Sequence, residues 1–447
     1  MGSGQQLLPT LKSMNFRKIA VNFILMLGTF IFCLLLGELL FPFFLSKIPL
    51  KLHGYVDRGL LALVQSSKKS VIPKNYNAIF GDSYAAGVGE WLNKERANSY
   101  FNPDYGPAHV LHNKLGKDVV SFGSGGTGSI EGLVSLPIAQ LEAINSYLAF
   151  NLDKPKQILA FFFEGNDIED NLKDLDRFFK PKYDMSKVYE KEYFQEFLKN
   201  EIVKNHPLTE ITENATIYKN LIFSKFLGRG ILDLFSGILS EENSYEKKWE
   251  ILTEKEKLYQ LDLNNIKPDL LADRHKLINI ALIDNKKWVF NNRNMGAQTH
   301  ISGEKIRLGT YVFEQSLMFM HQYFSNSNIN IVYLPSTLSS YRLLTAEESG
   351  LKKFGGIRTD YNLRLLTIRQ RSEFICNQIE RIAKKNKFGF LDAGKYIRRK
   401  TKTEILHGSI DQDHFNKKGY TVLSEAIIET FFSNDKQVDN GRCEYAF

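Results

Sequence analysis

The sequence predicts an α/β fold in which a parallel sheet of about five strands carries helices on both faces. Two observations predict it. Short, nearly continuous apolar runs (YNAIF, DVVSF, QILAFFF, INIVYL and FGFLDAG) are each closed by turn residues, and helical patterns separate them. Strands buried on both faces read as unbroken apolar runs, whereas strands with one wet face alternate. The crossover before the last run is clearest. There, RSEFICNQIERIAKK sets Phe374, Ile375, Ile379, Ile382 and Ala383 on one helical face and ends in basic residues, as a helix dipole favours.

At the amino end, a short basic tail (1–18) precedes IAVNFILMLGTFIFCLLLGELLFPFFL, whose only strongly polar side chains are Asn22 and Glu38. The run exceeds the roughly 20 residues that a bilayer core requires. It is also longer than the roughly 7–15-residue core of a cleaved signal peptide, and it ends in bulky residues. Residues 19–46 are therefore expected to be an uncleaved transmembrane anchor. Lys12, Arg17 and Lys18 before it balance Lys47, Lys51 and Arg58 after it, so the positive-inside count is tied. The short basic tail followed by one span is the signal-anchor layout, which puts the body outside the cytoplasm, periplasmic or at the cell surface. An ionisable Glu38 in that span has two readings: it sits at headgroup level touching no protein, or it faces a partner membrane protein.

A basic linker (47–74) leads to one enlarged α/β domain over 75–435, interrupted by an insertion at about 172–301, and a tail follows at 436–447. The insertion reads as mainly helical, rich in Lys, Glu and Tyr, with no strand pattern. Within it, IYKNLIFSKFLGRGILDLFSGIL carries a dense apolar face that suits a lid over a pocket, a helix on a membrane surface, or plain core packing.

Composition narrows the class. The 447 residues are 43% apolar and 24% charged, ordinary globular usage with enough apolar matter for a large core. The net charge of +8 comes from lysines spread along the chain, without arginine runs interleaved with aromatics, so no nucleic-acid partner is expected. Cys33, Cys376 and Cys443 are odd in number, far apart and without a CxxC pair, which indicates neither a disulfide framework nor a zinc site. No metal or cofactor is expected.

Four short motifs carry the chemistry. Gly81-Asp82-Ser83-Tyr84-Ala85-Ala86-Gly87 follows the first strand, where small neighbours leave a serine hydroxyl approachable at the strand's carboxyl end. Asp411-Gln412-Asp413-His414 precedes the terminal helix; an aspartate three residues ahead of a histidine can orient the imidazole while the other ring nitrogen takes the serine proton. Asp413, adjacent to the ring, is worse placed for that role. Gly123-Ser124-Gly125-Gly126-Thr127-Gly128 after the second strand offers unshielded N–H groups, and Glu164-Gly165-Asn166-Asp167 after the third offers a carboxamide, both suited to a developing oxyanion. The glycine loop lacks the lysine and hydroxyl residue of a phosphate-binding loop.

Serine, glycine, asparagine and Asp-x-x-His in this order resemble the SGNH (GDSL-like) hydrolase superfamily, over roughly 76–166 and 329–432. The resemblance implies a three-layer, flavodoxin-like SGNH fold. It also implies Ser83 as nucleophile, Asp411 and His414 as its partners, and an oxyanion hole from the N–H groups of Ser83 and Gly126 with Asn166. Gly126 is preferred to Gly123 because VVSFGSGGTGSIEGL aligns without gaps to the family's second block. Three positions depart from the pattern: Tyr84 for leucine, Ser121 for asparagine and Glu164 for glycine.

Family members include esterases, lipases, carbohydrate deacetylases and polysaccharide O-acetyltransferases. The resemblance thus implies acyl-serine chemistry without naming the acceptor. The expected activity is hydrolysis of an acyl ester, on acylated envelope carbohydrate. The alternatives are a polysaccharide O-acetyltransferase working with a polytopic membrane acyl-donor partner, and a catalytically weak glycan-binding or assembly protein on the same scaffold. The basic run Lys395 to Lys402 reads either as an attractor of acidic glycan or lipid headgroups or as a solvated helix end.

Overall fold

A computed structural model describes residues 16–90, 92, 95, 104, 106–208, 217–239, 259–260, 279–290, 294–345, 348–350, 359–361, 365–433 and 443. Most of the expected N-terminal tail, much of the insertion and all of the 436–447 tail except Cys443 lie outside these residues.

All five predicted runs form strands of one sheet: β1 (Asn77–Phe80), β2 (Val119–Ser121), β3 (Gln157–Phe163), β6 (Asn328–Leu334) and β8 (Gly389–Asp392), numbered with the insertion strands below. The spatial order is β8-β6-β3-β1-β2, and every pair is parallel. This is a doubly wound order, reversing direction between β1 and β3, and a crevice opens beyond the carboxyl ends of the strands at such a reversal. Alternate residues feed two cores. Ala78, Phe80, Ile158, Ala160, Phe162, Ile331 and Tyr333 pack with α4 (Leu136–Asn145), α7 (Gly303–Tyr323) and α8 (Leu365–Asn386). Ile79, Leu159, Phe161, Phe163, Val332 and Leu334 pack on the other face with α3 (Gly106–Leu115), α9 (Ala393–Lys400) and α10 (Lys417–Phe431). In α8 the expected apolar face is buried except at Phe374, which is 38% exposed.

The amino-terminal helix α1 (Phe16–Leu40) is long and apolar enough to cross a membrane, and none of its most apolar window is buried in the body. Its 25 residues rise about 37 Å. The apolar run does not continue as one rod to residue 46. At Pro42 the chain turns into a 3₁₀ segment, Phe41–Lys47, where Pro42, Leu45 and Ser46 are buried against the body. Proline suits the first turn of a new segment, where its missing N–H is not needed.

The insertion departs from the expectation of a segment without strands. After α5 (Asp167–Asp174) and α6 (Ile222–Leu239), β4 (Asn279–Ile283) and β5 (Lys286–Phe290) form an antiparallel hairpin, and β4 also pairs with β7 (Leu343–Thr345). The turn is Asp284-Asn285 with φ of 51° and 57°, the doubly positive geometry of a two-residue hairpin loop. The signal was present in NIALIDNKKWVF, where β4 alternates buried and half-buried residues around an Asp-Asn pair.

Cysteine use also corrects the sequence reading. Cys376 on α8 and Cys443 form a disulfide with Cα atoms 5.8 Å apart, leaving Cys33 free and exposed on α1. The separation of 67 residues along the chain hid a pair that the fold makes adjacent.

Candidate active site

The serine turn is built by local geometry. Gly81 adopts φ +142°, and a Cβ placed there would stand 3.0 Å from Phe161 Cβ and 3.3 Å from Ala85 Cβ, so only glycine fits. Asp82 then caps the short helix α2 (Ser83–Ala86) by accepting the Tyr84 N–H at 2.9 Å. Ser83 opens that helix, so its own N–H is among the first-turn donors without an intrahelical acceptor.

The loop between α9 and α10 brings the second half. His414 Nε2 lies 2.9 Å from Ser83 Oγ, and His414 Nδ1 lies 2.9 Å from both carboxylate oxygens of Asp411. Burial pulls the imidazole's pKa down, but the charge and hydrogen bond of Asp411 outweigh it, with help from Asp413 and Asp82, and hold it above 6.5. Asp413 points elsewhere, as expected: its Oδ1 accepts the Met295 N–H at 2.9 Å.

Around this pair lies an acidic, buried setting. Burial pushes Asp82 up to about 6, against the pull of the Tyr84 N–H and of His414. Burial and the neighbouring charge of Asp82 push Asp167 well above the usual carboxylate range, against the hydrogen bond it accepts from the Phe163 N–H. His407, beneath the loop, is pushed down to about 3 by burial and by His414, so it stays neutral while its Nδ1 meets the Tyr341 hydroxyl at 2.9 Å.

The glycine loop runs beside the serine. A Cβ built on Gly125 would stand 3.8 Å from Ser83 Cβ, and Gly126 adopts φ +75° in open space. The N–H of Gly123 is occupied by Ser121 Oγ at 3.1 Å, which leaves it unsuited to hold an oxyanion. Asn166 stands at the carboxyl end of β3 as the residue before α5; its carboxamide does not cap that helix, and its Oδ1 is buried without a protein partner.

Tyr84, Ser121 and Glu164, the three residues that stand apart from the expected motifs, have work in the structure. The fully buried Tyr84 donates its hydroxyl to the Asp413 carbonyl at 2.5 Å and packs against His414, Phe163 and Phe415, tying the serine turn to the histidine loop. Ser121 Oγ donates to the Ala85 carbonyl at 2.6 Å, fixing α2 over β2. Glu164, fully buried, accepts hydrogen bonds from the hydroxyls of Ser336, Ser339, Tyr333 and Ser372 and from the Ser336 N–H, which joins the ends of β3 and β6 to α8.

Comparison with family models, with curated proteins and with solved structures returned no match.

Sequence reading missed the braces around the Asp411–His414 loop. Glu90 accepts the Ile410 N–H at 2.9 Å and the Ser409 hydroxyl at 3.1 Å, just ahead of Asp411. Thr337 Oγ1 donates to the Gln412 carbonyl at 2.8 Å, and the end of the insertion contributes the Met295 N–H already described. None of these residues carries a local pattern; each acts by reaching across the fold. The basic run 395–402 is not a uniform charged surface either. Arg398 is buried in an ion pair with Asp392 at 3.1 Å, and only part of the run faces water.

Proposed function

We propose that this protein is a membrane-anchored, serine-dependent ester hydrolase of the SGNH type, with its body outside the cytoplasm. One observation carries the proposal: the continuous hydrogen-bond chain Ser83 Oγ, His414, Asp411 at the carboxyl edge of a parallel sheet. Ser83 Oγ attacks the ester carbonyl as His414 Nε2 takes its proton, and Asp411 stabilises the imidazolium. The N–H groups of Ser83 and Gly126 with the Asn166 carboxamide hold the tetrahedral oxyanion. His414 returns the proton to the departing alkoxide, leaving an acyl-serine. Water then attacks that acyl group, with His414 as base, and frees the acid. A sugar hydroxyl in place of water makes the same site an O-acyltransferase. The Cys376–Cys443 disulfide and the apolar helix α1 support an extracytoplasmic, anchored body, since disulfides persist in oxidising compartments.

The full chain in detergent is expected to be labelled by a fluorophosphonate probe and to hydrolyse a small aryl acetate, and Ser83→Ala is expected to lose both. Absence of labelling in the folded wild-type chain would overturn the hydrolase reading in favour of a catalytically weak glycan-binding or assembly protein on the same scaffold. Acetyl transfer to added oligosaccharide would identify the acyltransferase.

A further inference from the structure

Helix α6 has its polar and apolar sides turned opposite to what a buried insertion helix needs. Its polar stripe faces the body: Lys225 pairs with Asp57 at 2.8 Å, Arg229 donates to the Tyr55 carbonyl at 3.1 Å, and the Asp233 carboxylate accepts the Tyr55 hydroxyl. Leu227, Ile231, Leu232, Leu234 and Phe235 are exposed, Leu232 to 70%. Core packing therefore does not account for this face.

The first turn of α6 is fastened to the end of α1. Glu38 accepts the N–H groups of Phe223 at 2.8 Å and Ser224 at 2.7 Å, one on each carboxylate oxygen. An anionic side chain thus meets the positive end of a helix dipole, and neither sequence reading of Glu38 foresaw an acceptor role within the chain itself. Phe223 and Phe226 pack on Phe41, and the Phe223 ring sits against Gly37. From that attachment α6 passes over residues 55–57. Leu39, Leu40, Phe43 and Phe44, on either side of Phe41, are exposed as well.

The fold also says which edge of the sheet this corner belongs to. Lys219, just ahead of α6, bonds Ser146, and Asn220 accepts the Leu148 N–H at 2.9 Å, both past the carboxyl end of α4. That is where the chain re-enters the sheet at the amino end of β3. At the same edge, Lys69, Lys74, Lys117 and Lys156 surround an open pocket containing one carboxylate, Asp118. Ser83 and His414 lie at the opposite edge.

We propose that α6 is a second membrane element: it lies in the plane of the bilayer that α1 enters, its apolar face among the lipid chains. The amino edge of the sheet then faces the headgroups, lysines foremost, and the active site faces away from the membrane. β3 alone spans seven residues, roughly 23 Å, between the two edges. The substrate of this arrangement is a soluble or polymeric ester approaching from the aqueous side, not a lipid of the anchoring bilayer.

The proposal rests on α1 entering a bilayer, and one experiment separates the two ideas. The full chain is reconstituted in phosphatidylcholine–phosphatidylglycerol vesicles with and without doxyl-labelled chains, and an environment-sensitive fluorophore is placed on single cysteines. Cys33, the native free thiol, reports α1; Leu234→Cys and Leu227→Cys in a Cys33→Ser background report α6; Lys417→Cys reports the active-site edge. The labels at 33, 234 and 227 are expected to lose most of their emission to the doxyl lipids, and the label at 417 to lose it only to aqueous iodide. Adding Glu38→Gln is expected to reduce lipid quenching at 234 and leave it unchanged at 33. Iodide quenching at 234 and 227 with Cys33 still lipid-quenched would overturn the proposal and leave the anchor standing. Protection of 234 and 227 from both quenchers would overturn it in favour of a protein cover. Lack of lipid quenching at Cys33 would overturn the anchor and the proposal together.

Discussion

Ser83 and His414 lie 331 positions apart and share a hydrogen bond, while Asp411 reaches the same ring from three residues away. The short spacing was legible because it stays within one turn of chain; the long one was an inference from motif order. The raised imidazole pKa has a testable sign. Protonated His414 cannot accept the serine proton, so kcat/KM for an aryl acetate is expected to rise with pH through a midpoint above 6.5. In Asp411→Asn the ring loses the charge that raises its pKa, so that midpoint is expected to move down and kcat to fall on the order of 10³–10⁴-fold. A pH–rate profile of the two proteins checks both; an unmoved midpoint would remove Asp411 from its role. In the linked stability, the Asp411–His414 pairing contributes fully below pH 6.5 and fades as pH rises through the higher folded value.

At the scale of elements, the serine turn depends on a backbone that no side chain announces. Gly81 at φ +142° has the Phe161 and Ala85 methylene and methyl carbons against it. Gly81→Ala is therefore expected to cost about 1–3 kcal/mol in backbone strain alone, read as a lower thermal midpoint, with more lost from contact. Activity is expected to fall further than stability, because α2 carries Ser83 with it. The five sheet strands were legible from their unbroken apolar runs. The β4–β5 hairpin was passed over because it sits in lysine-rich sequence, apart from the apolar rhythm of the sheet strands. Tyr84, Ser121 and Glu164 looked like departures from a pattern; packing makes them the fasteners between the serine turn, β2, β6 and the histidine loop.

For the whole molecule, the Cys376–Cys443 bond closes a loop of 67 residues that holds β8, α9, the Asp411–His414 loop and α10. Chain-entropy arguments assign such a closure about 4 kcal/mol. Reduction, or Cys443→Ser, is expected to lower the denaturant midpoint accordingly, without moving the midpoint of the pH–rate profile. A change in that midpoint would show that the bond also sets the His414 environment. The same scale holds the braces around the Asp411–His414 loop, where Glu90, Thr337 and Met295 come from three separate stretches of chain.

By itself the sequence determined what depends on neighbours along the chain: the apolar strands, the apolar run that forms α1, the Gly-Asp-Ser turn and the Asp-x-x-His spacing. Only the tertiary structure decided the disulfide, the second face of α6, the acceptor role of Glu38 and the burial that sets Asp82, Asp167 and His407. The physical reason is range. Propensity and periodicity act over one or two turns, whereas desolvation and hydrogen-bond partnership depend on which distant segments the sheet brings together.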